Sequence, residues 1–267
     1  MARLVGYGGD VVVATQLIHA CDVAWDELVD GDVTLSLDTS DYKVGSGSNK
    51  MVCAAGLAAN DILATDDIVS LDITAYDIAL AWFKCSIGVS AGDFHLLMDE
   101  AANCANGDIV EDIPALTANT WKLCRVPITT TGMNAIISVG IEMQVDVGAC
   151  TLWVDEIRVG TSVAGIRSWS LDYIANVVDS TSFQDGQAKV FTVTQMEWSG
   201  SFDGFKDGAP LTIGEVVHLE LRESSTSTQQ WRGSAIITAA RPSESVDGLV
   251  MYSYDFQGIH ALEVATA

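Results

Sequence analysis

Short runs of alternating or β-branched residues, each closed by a turn, recur along the whole 267-residue chain. They stand at 33–37, 68–73, 94–98, 121–126, 136–141 and 151–159, and again at 168–175, 188–197, 216–222, 230–238 and 249–256. A period of two puts successive side chains on opposite faces, so these runs predict strands in sheets with one face intended for packing. Gly, Asn, Asp and Thr separate the runs. Turn signals at Gln184-Asp185-Gly186, Lys206-Asp207-Gly208 and Val246-Asp247-Gly248 rest on Gly and Asp, since the chain holds only 4 prolines. The polar stretch 223–228 reads as a hairpin loop, and helix is suggested only at 51–59, where flanking glycines weaken it. The expected fold class is all-β, in two domains.

Apolar runs such as 78–83 fall far short of the roughly 20 residues that cross a bilayer. No leader pattern opens the sequence, so neither membrane insertion nor export by an N-terminal signal is expected. Against 36 acidic side chains stand 13 basic ones, for a formal charge of -23. Affinity for nucleic acid comes from Lys and Arg displacing counterions, and no basic cluster is present. Gripping DNA is not expected; enclosing it without adhesion, or a simple solubility role, is compatible with this charge.

All 6 cysteines (Cys21, Cys53, Cys85, Cys104, Cys124, Cys150) precede residue 151. They form no CxxC and no Cys/His cluster, so a zinc site or redox motif is not expected. Buried thiols and one or two disulfides both stay open, the second because a particle assembled in cytosol can oxidise after release. The histidines are scattered. Asp66-Asp67, Asp99-Glu100 and Glu111-Asp112 read as solvated turns, and Gly45-Ser46-Gly47 lacks the Lys and following helix of a phosphate loop. No enzyme is expected.

The series Val33-Thr34-Leu35-Ser36-Leu37-Asp38, Leu71-Asp72-Ile73, Ala81-Trp82-Phe83, Asn119-Thr120-Trp121 and Leu152-Trp153-Val154-Asp155-Glu156 resembles a galactose-binding-like jelly roll over about 20–160. That resemblance implies a β-sandwich of the kind used by carbohydrate-binding modules, hence a surface glycan as a candidate ligand. Trp82, Trp121 and Trp153 are the candidate stacking rings, although each sits in an apolar strand pattern that favours core packing. It also implies a structural calcium near the first and last strands, for which Asp38, Asp41 and Asp155 are the candidate ligands. No other cofactor is expected.

From Ala164 onward, Ile166-Arg167-Ser168-Trp169, Glu197-Trp198-Ser199-Gly200-Ser201-Phe202, Trp231-Arg232-Gly233-Ser234 and Tyr252-Ser253-Tyr254-Asp255-Phe256 resemble tail tube proteins of long-tailed bacteriophages. The opening stretch 4–13 resembles the N-terminal arm of the same family. The resemblance implies a tube-forming barrel domain over 1–15 and 162–267, with the jelly roll (16–161) inserted in a surface turn. It further implies a virion protein assembled in the host cytoplasm, a homo-oligomer of stacked hexameric rings that contacts other virion proteins while genome DNA passes without specific binding. A capsid-surface decoration or host-glycan-binding virion protein is the alternative. Leu4, Tyr7, Val11 and Val13 are the candidate assembly residues, supplying apolar strand surface to a neighbouring subunit.

Overall fold

The computed structural model describes residues 9–183, 188–205, 209–224, 229–244 and 248–266. Among them the chain is all-β, and a single 3-10 turn at Ala102–Cys104 is its one helical element. The first eleven strands are β1 (Asp10–His19), β2 (Leu28–Val29), β3 (Val33–Asp38), β4 (Ser48–Cys53), β5 (Asp61–Leu71), β6 (Ile78–Cys85), β7 (Phe94–Asp99), β8 (Ile109–Asp112), β9 (Lys122–Pro127), β10 (Ile136–Met143) and β11 (Cys150–Ser162). The rest are β12 (Ile166–Asp179), β13 (Phe191–Phe205), β14 (Val216–Arg222), β15 (Gln229–Ser243), β16 (Met251–Gly258) and β17 (Glu263–Thr266). The 51–59 stretch is not helical: its first three residues end β4, paired on both sides by β3 and β11, so tertiary pairing overrides its weak helical pattern. The turn signals at 184–186, 206–208 and 246–247, and most of the 223–228 loop, lie outside the described residues.

The chain divides into two compact units, Val13–Thr161 and a discontinuous one of Met1–Val12 with Ser162–Ala267. In the continuous unit two antiparallel sheets run in the orders β9-β6-β11-β4-β3 and β2-β5-β10-β7-β8. Their inward faces form one core, in which Met51, Ala81, Phe83, Val154 and Ile157 of the first sheet meet Leu63, Leu96, Met98, Val139 and Ile141 of the second. β6 and β10 are each paired along both edges, and nearly all of their residues are buried. A bulge in β11 between Asp155 and Arg158 breaks the register with β6. There Glu156 adopts a left-handed φ of 37°, and its Oε1 accepts a 2.7 Å bond from Arg158 Nε.

The discontinuous unit is a sheet in the order β12-β13-β16-β15-β14, with β17 also on β15. Its core is aromatic: Phe202 lies 5.2 Å from Tyr254 and 6.2 Å from Phe256 between ring centroids, and Trp198 lies 5.8 Å from Phe256. Val217, Leu219 and Leu221 of β14 alternate into the buried set while His218 and Glu220 occupy the other face, also buried. Glu220 there accepts from Arg232 Nε at 2.6 Å and Arg222 Nη2 at 2.8 Å, and Ser234 Oγ lies 3.0 Å from His218 Nδ1.

A candidate assembly surface on the β12–β13 hairpin

The discontinuous unit's longest antiparallel pair extends beyond its sheet. β12 pairs with β13 along nearly its whole length, whereas β13 pairs with β16 only from Ser199 to Phe205. Residues 191–198 and the facing part of β12 therefore form a two-stranded ribbon. Such a ribbon is marginal in water unless something packs on it.

Register assigns the two faces. Tyr173 pairs with Trp198, Ala175 with Met196 and Val177 with Val193, a bulge at Thr194 keeping these apolar residues on one side. This is the face that makes the core at its root, where Trp198 is 2% exposed, and it runs on into solvent as Val193 (55%), Val177 (57%) and Met196 (65%). Phe191 continues the exposed series. The other face, from Ser170 to Val178, carries Ser170, Asp172, Asn176, Thr192, Gln195, Glu197, Ser199 and Ser201 around Ile174 and Val178. It holds two carboxylates and no basic side chain. β12 ends its sheet, so its outer backbone edge has no pairing strand among the described residues.

At the root of the ribbon, Tyr173, Met196 and Trp198 join residues 258–262 in lining an open cleft. Trp198 Nε1 donates a 2.7 Å bond to the His260 carbonyl, and Gln257 Nε2 donates back to the Trp198 carbonyl at 3.0 Å.

Of the expected assembly residues, Leu4 and Tyr7 lie outside the described residues. Val11 and Val13 require a correction: both are buried within their own chain in β1, and Val11 O accepts a 2.8 Å bond from Val163 N. An apolar side chain already removed from water has nothing left to offer a neighbour. The hairpin face escaped sequence reasoning because alternation reports that a face is apolar and leaves open what covers it.

In the continuous unit, Asp38, Asp41 and Asp155 do not form a calcium site. Asp38 Oδ1 accepts from Ser40 N (3.0 Å) and Ser40 Oγ (2.6 Å), and Oδ2 from Trp153 Nε1 (3.1 Å). These bonds, first from Ser40 and then Trp153, hold its carboxyl well below the usual range. Asp41 takes Trp121 Nε1 at 2.7 Å and the Lys84 ammonium; burial would raise it, but these donors outweigh burial and lower it. Asp155 Oδ2 accepts from Lys43 N (2.6 Å) and Val44 N (2.9 Å), pinning the loop after β3 to β11. Burial nonetheless pushes its carboxyl up to about 7, with Glu156 and Asp22 adding to the rise, and Oδ1 is buried without a hydrogen-bond partner. Calcium takes six to eight oxygens. Here nitrogen donors occupy most of them, and among the described residues no group of three or more His, Cys, Asp or Glu side chains is arranged to hold an ion.

The same network absorbs the three expected sugar-stacking rings. Trp82 is buried, Trp121 and Trp153 spend their N–H groups on Asp41 and Asp38, and Lys84 and Lys50 stand 4.5 and 5.5 Å from the Trp153 ring centroid. Sequence spacing gave no sign of a further pair, His19 and Asp66, 47 positions apart, whose Nε2 and Oδ2 meet at 2.8 Å. Cys21 N and Trp25 Nε1 both donate to His19 Nδ1, at 2.9 and 3.2 Å, which fixes the neutral tautomer with the proton on Nε2.

No protein-family model matches the chain, and no curated protein does. Among solved structures it is similar to a chain of the "Tail of empty GTA particle computed with helical refinement, C6 symmetry", at 20% identity. That match covers 40% of this chain and 87% of the other, with a TM-score of 0.33.

Proposed function

We propose that this protein is a structural subunit of a phage-like virion tail, in which the discontinuous unit builds stacked rings and the continuous unit is an outward appendage. One observation carries the reading: the core-forming face of the β12–β13 hairpin continues past the core as exposed Tyr173, Val177, Val193 and Met196, beside the unpaired edge of β12. A long apolar ribbon with a free edge aggregates unless a defined partner covers it. A second copy supplies both missing elements, an apolar face and a complementary edge, and repetition around an axis closes the edges into a ring. The opposite face then lines the lumen. Its hydroxyls, amides, Asp172 and Glu197 offer DNA no counterion-releasing cation, so genome slides past without adhering. Support also comes from the tail tube resemblance of residues 164–258. The appendage reading rests on charge: residues 13–161 carry 6 basic and 22 acidic side chains, suited to a solvated exterior.

Negative-stain microscopy of the purified protein across a concentration series tests this. Rings or tubes are expected. A chain that remains monomeric throughout, or that appears only as isolated copies on capsids, overturns it.

A further inference from the structure

Three thiols stand together at one end of the continuous unit. Cys53 closes β4, Cys85 closes β6 and Cys150 opens β11, the strand between them. Cys150 is the direct cross-strand partner of Cys53, and Leu152, two residues along the same strand, is the partner of Cys85. All three side chains consequently point to one side of the sheet, and all belong to the buried core. Cys150 is close enough to both of the other thiols to shift their titration.

Their separations are not equivalent. Directly opposed residues of an antiparallel pair have Cα atoms about 4.5–5.5 Å apart, inside the roughly 4.4–6.8 Å that a disulfide spans. Diagonal neighbours stand about 7–8 Å apart, beyond that reach without backbone movement. Cys53 is the direct neighbour of Cys150 and Cys85 the diagonal one.

We propose that Cys53 and Cys150 form a disulfide when the protein meets an oxidising medium, Cys85 remaining a thiol. Contact with Cys150 lowers the Cys53 thiol below its ordinary value against the effect of burial, while the same contact pushes Cys150 up to about 12. Cys53 is thus the first thiolate. It attacks one sulfur of a small aliphatic disulfide, forming a mixed disulfide and expelling a thiolate, which takes the Cys150 proton. Cys150 Sγ then attacks Cys53 Sγ, closing the protein disulfide and releasing the second small thiolate. Two protein thiols lose two electrons and two protons, and the small disulfide becomes two thiols.

The bond encloses about 100 residues, roughly two thirds of the continuous unit, so it restricts the unfolded chain strongly. The full-length protein, purified reduced, is incubated with hydroxyethyl disulfide, acid-quenched, denatured, alkylated and peptide-mapped. The expected map shows one crosslink, Cys53 to Cys150, with Cys21, Cys85, Cys104 and Cys124 alkylated. The thermal midpoint of the oxidised protein should rise by about 5 °C or more and return to its starting value with dithiothreitol. A crosslink of Cys150 to Cys85, or six alkylated cysteines after oxidation, overturns the proposal. Cys85→Ala provides a second arm: it should still form the Cys53–Cys150 crosslink, and loss of that crosslink in a variant retaining its β-sheet spectrum also overturns the proposal.

Discussion

Gly258 is the space that the indole of Trp198 fills: a Cβ on Gly258 would stand 2.1 Å from Trp198 Cε2. Gly233 supports the same ring from another strand, its would-be Cβ 2.5 Å from Cζ2. Backbone on two strands, with no side chains between, sets how closely the hairpin root packs on the sheet. Gly258→Ala forces the ring outward, and overpacking of this kind costs about 1–3 kcal/mol. Urea unfolding should show a lowered midpoint at unchanged slope; an unaltered midpoint means the ring is free to move.

On the exposed part of the same face, the effects should divide between assembly and stability. Val177→Asp and Met196→Asp alter residues already in water, so unfolding stability should stay within about 0.5 kcal/mol of the parent. Rings and tubes should nevertheless be lost. Sedimentation velocity beside thermal unfolding distinguishes the two, and tubes of normal appearance from the double variant would remove this face from the interface.

Acid and base act on the continuous unit in opposite senses. Burial holds His19 below its ordinary value of 6.5, with Asp66 and Asp22 pulling the other way. The unfolded chain therefore binds a proton the folded one refuses, and this contribution to stability is lost as pH falls below 6.5. Asp155, raised from 3.8 to about 7, keeps a proton that the unfolded chain has released. Its contribution is complete below 3.8 and disappears as pH climbs to about 7. Asp155→Asn resembles the protonated form, so relative to wild type it should gain stability as pH rises from about 4 to 8, reaching roughly 4 kcal/mol. Parallel stability curves for the two proteins would show that Asp155 is ionised in the fold.

Glu220 is fully buried between two guanidinium groups, Arg222 and Arg232. Glu220→Gln leaves those cations without their shared carboxylate, and breaking a buried pair in this way costs about 3–5 kcal/mol. Chemical denaturation should register the loss, whereas a change below about 1 kcal/mol would place the arginines in contact with water.

Excision offers a test of modularity. Val163 N donates to Val11 O at 2.8 Å, so the discontinuous unit is interrupted at two points that are close neighbours. Replacing 13–161 by a short turn should leave a folded protein that still assembles. Failure of a folded excised variant to form rings would give the continuous unit a share of the subunit contacts.

What the sequence disclosed, and what it concealed, follow from distance along the chain. Alternation located β3, β7, β10, β12 and β14 closely because each strand's pattern is local. β4 carries no such local pattern, because Ser48, Asn49 and Lys50 are all polar, and its pairing with β3 and β11 is what makes it a strand. Alternation in β14 leaves open what covers its polar positions, His218 and Glu220, and both are buried because Arg222, Arg232 and Ser234 meet them from the same hairpin. Asp38, Asp41 and Asp155 are brought together as a calcium set only by the jelly-roll resemblance, whereas backbone and indole N–H groups satisfy most of their oxygens. The Cys53–Cys150 neighbourhood depends on register, which no local pattern encodes.

Ser162 Oγ donates to Asp10 Oδ2 at 2.8 Å across 152 positions of chain. On a ribosome making about 5–20 residues per second, the first strand's opening residues wait many seconds for that partner, while everything the continuous unit requires is already made. The embedded sandwich thus completes its fold first, during translation. The β12–β13 hairpin emerges only after it, which delays exposure of its apolar face until the larger unit has its final form.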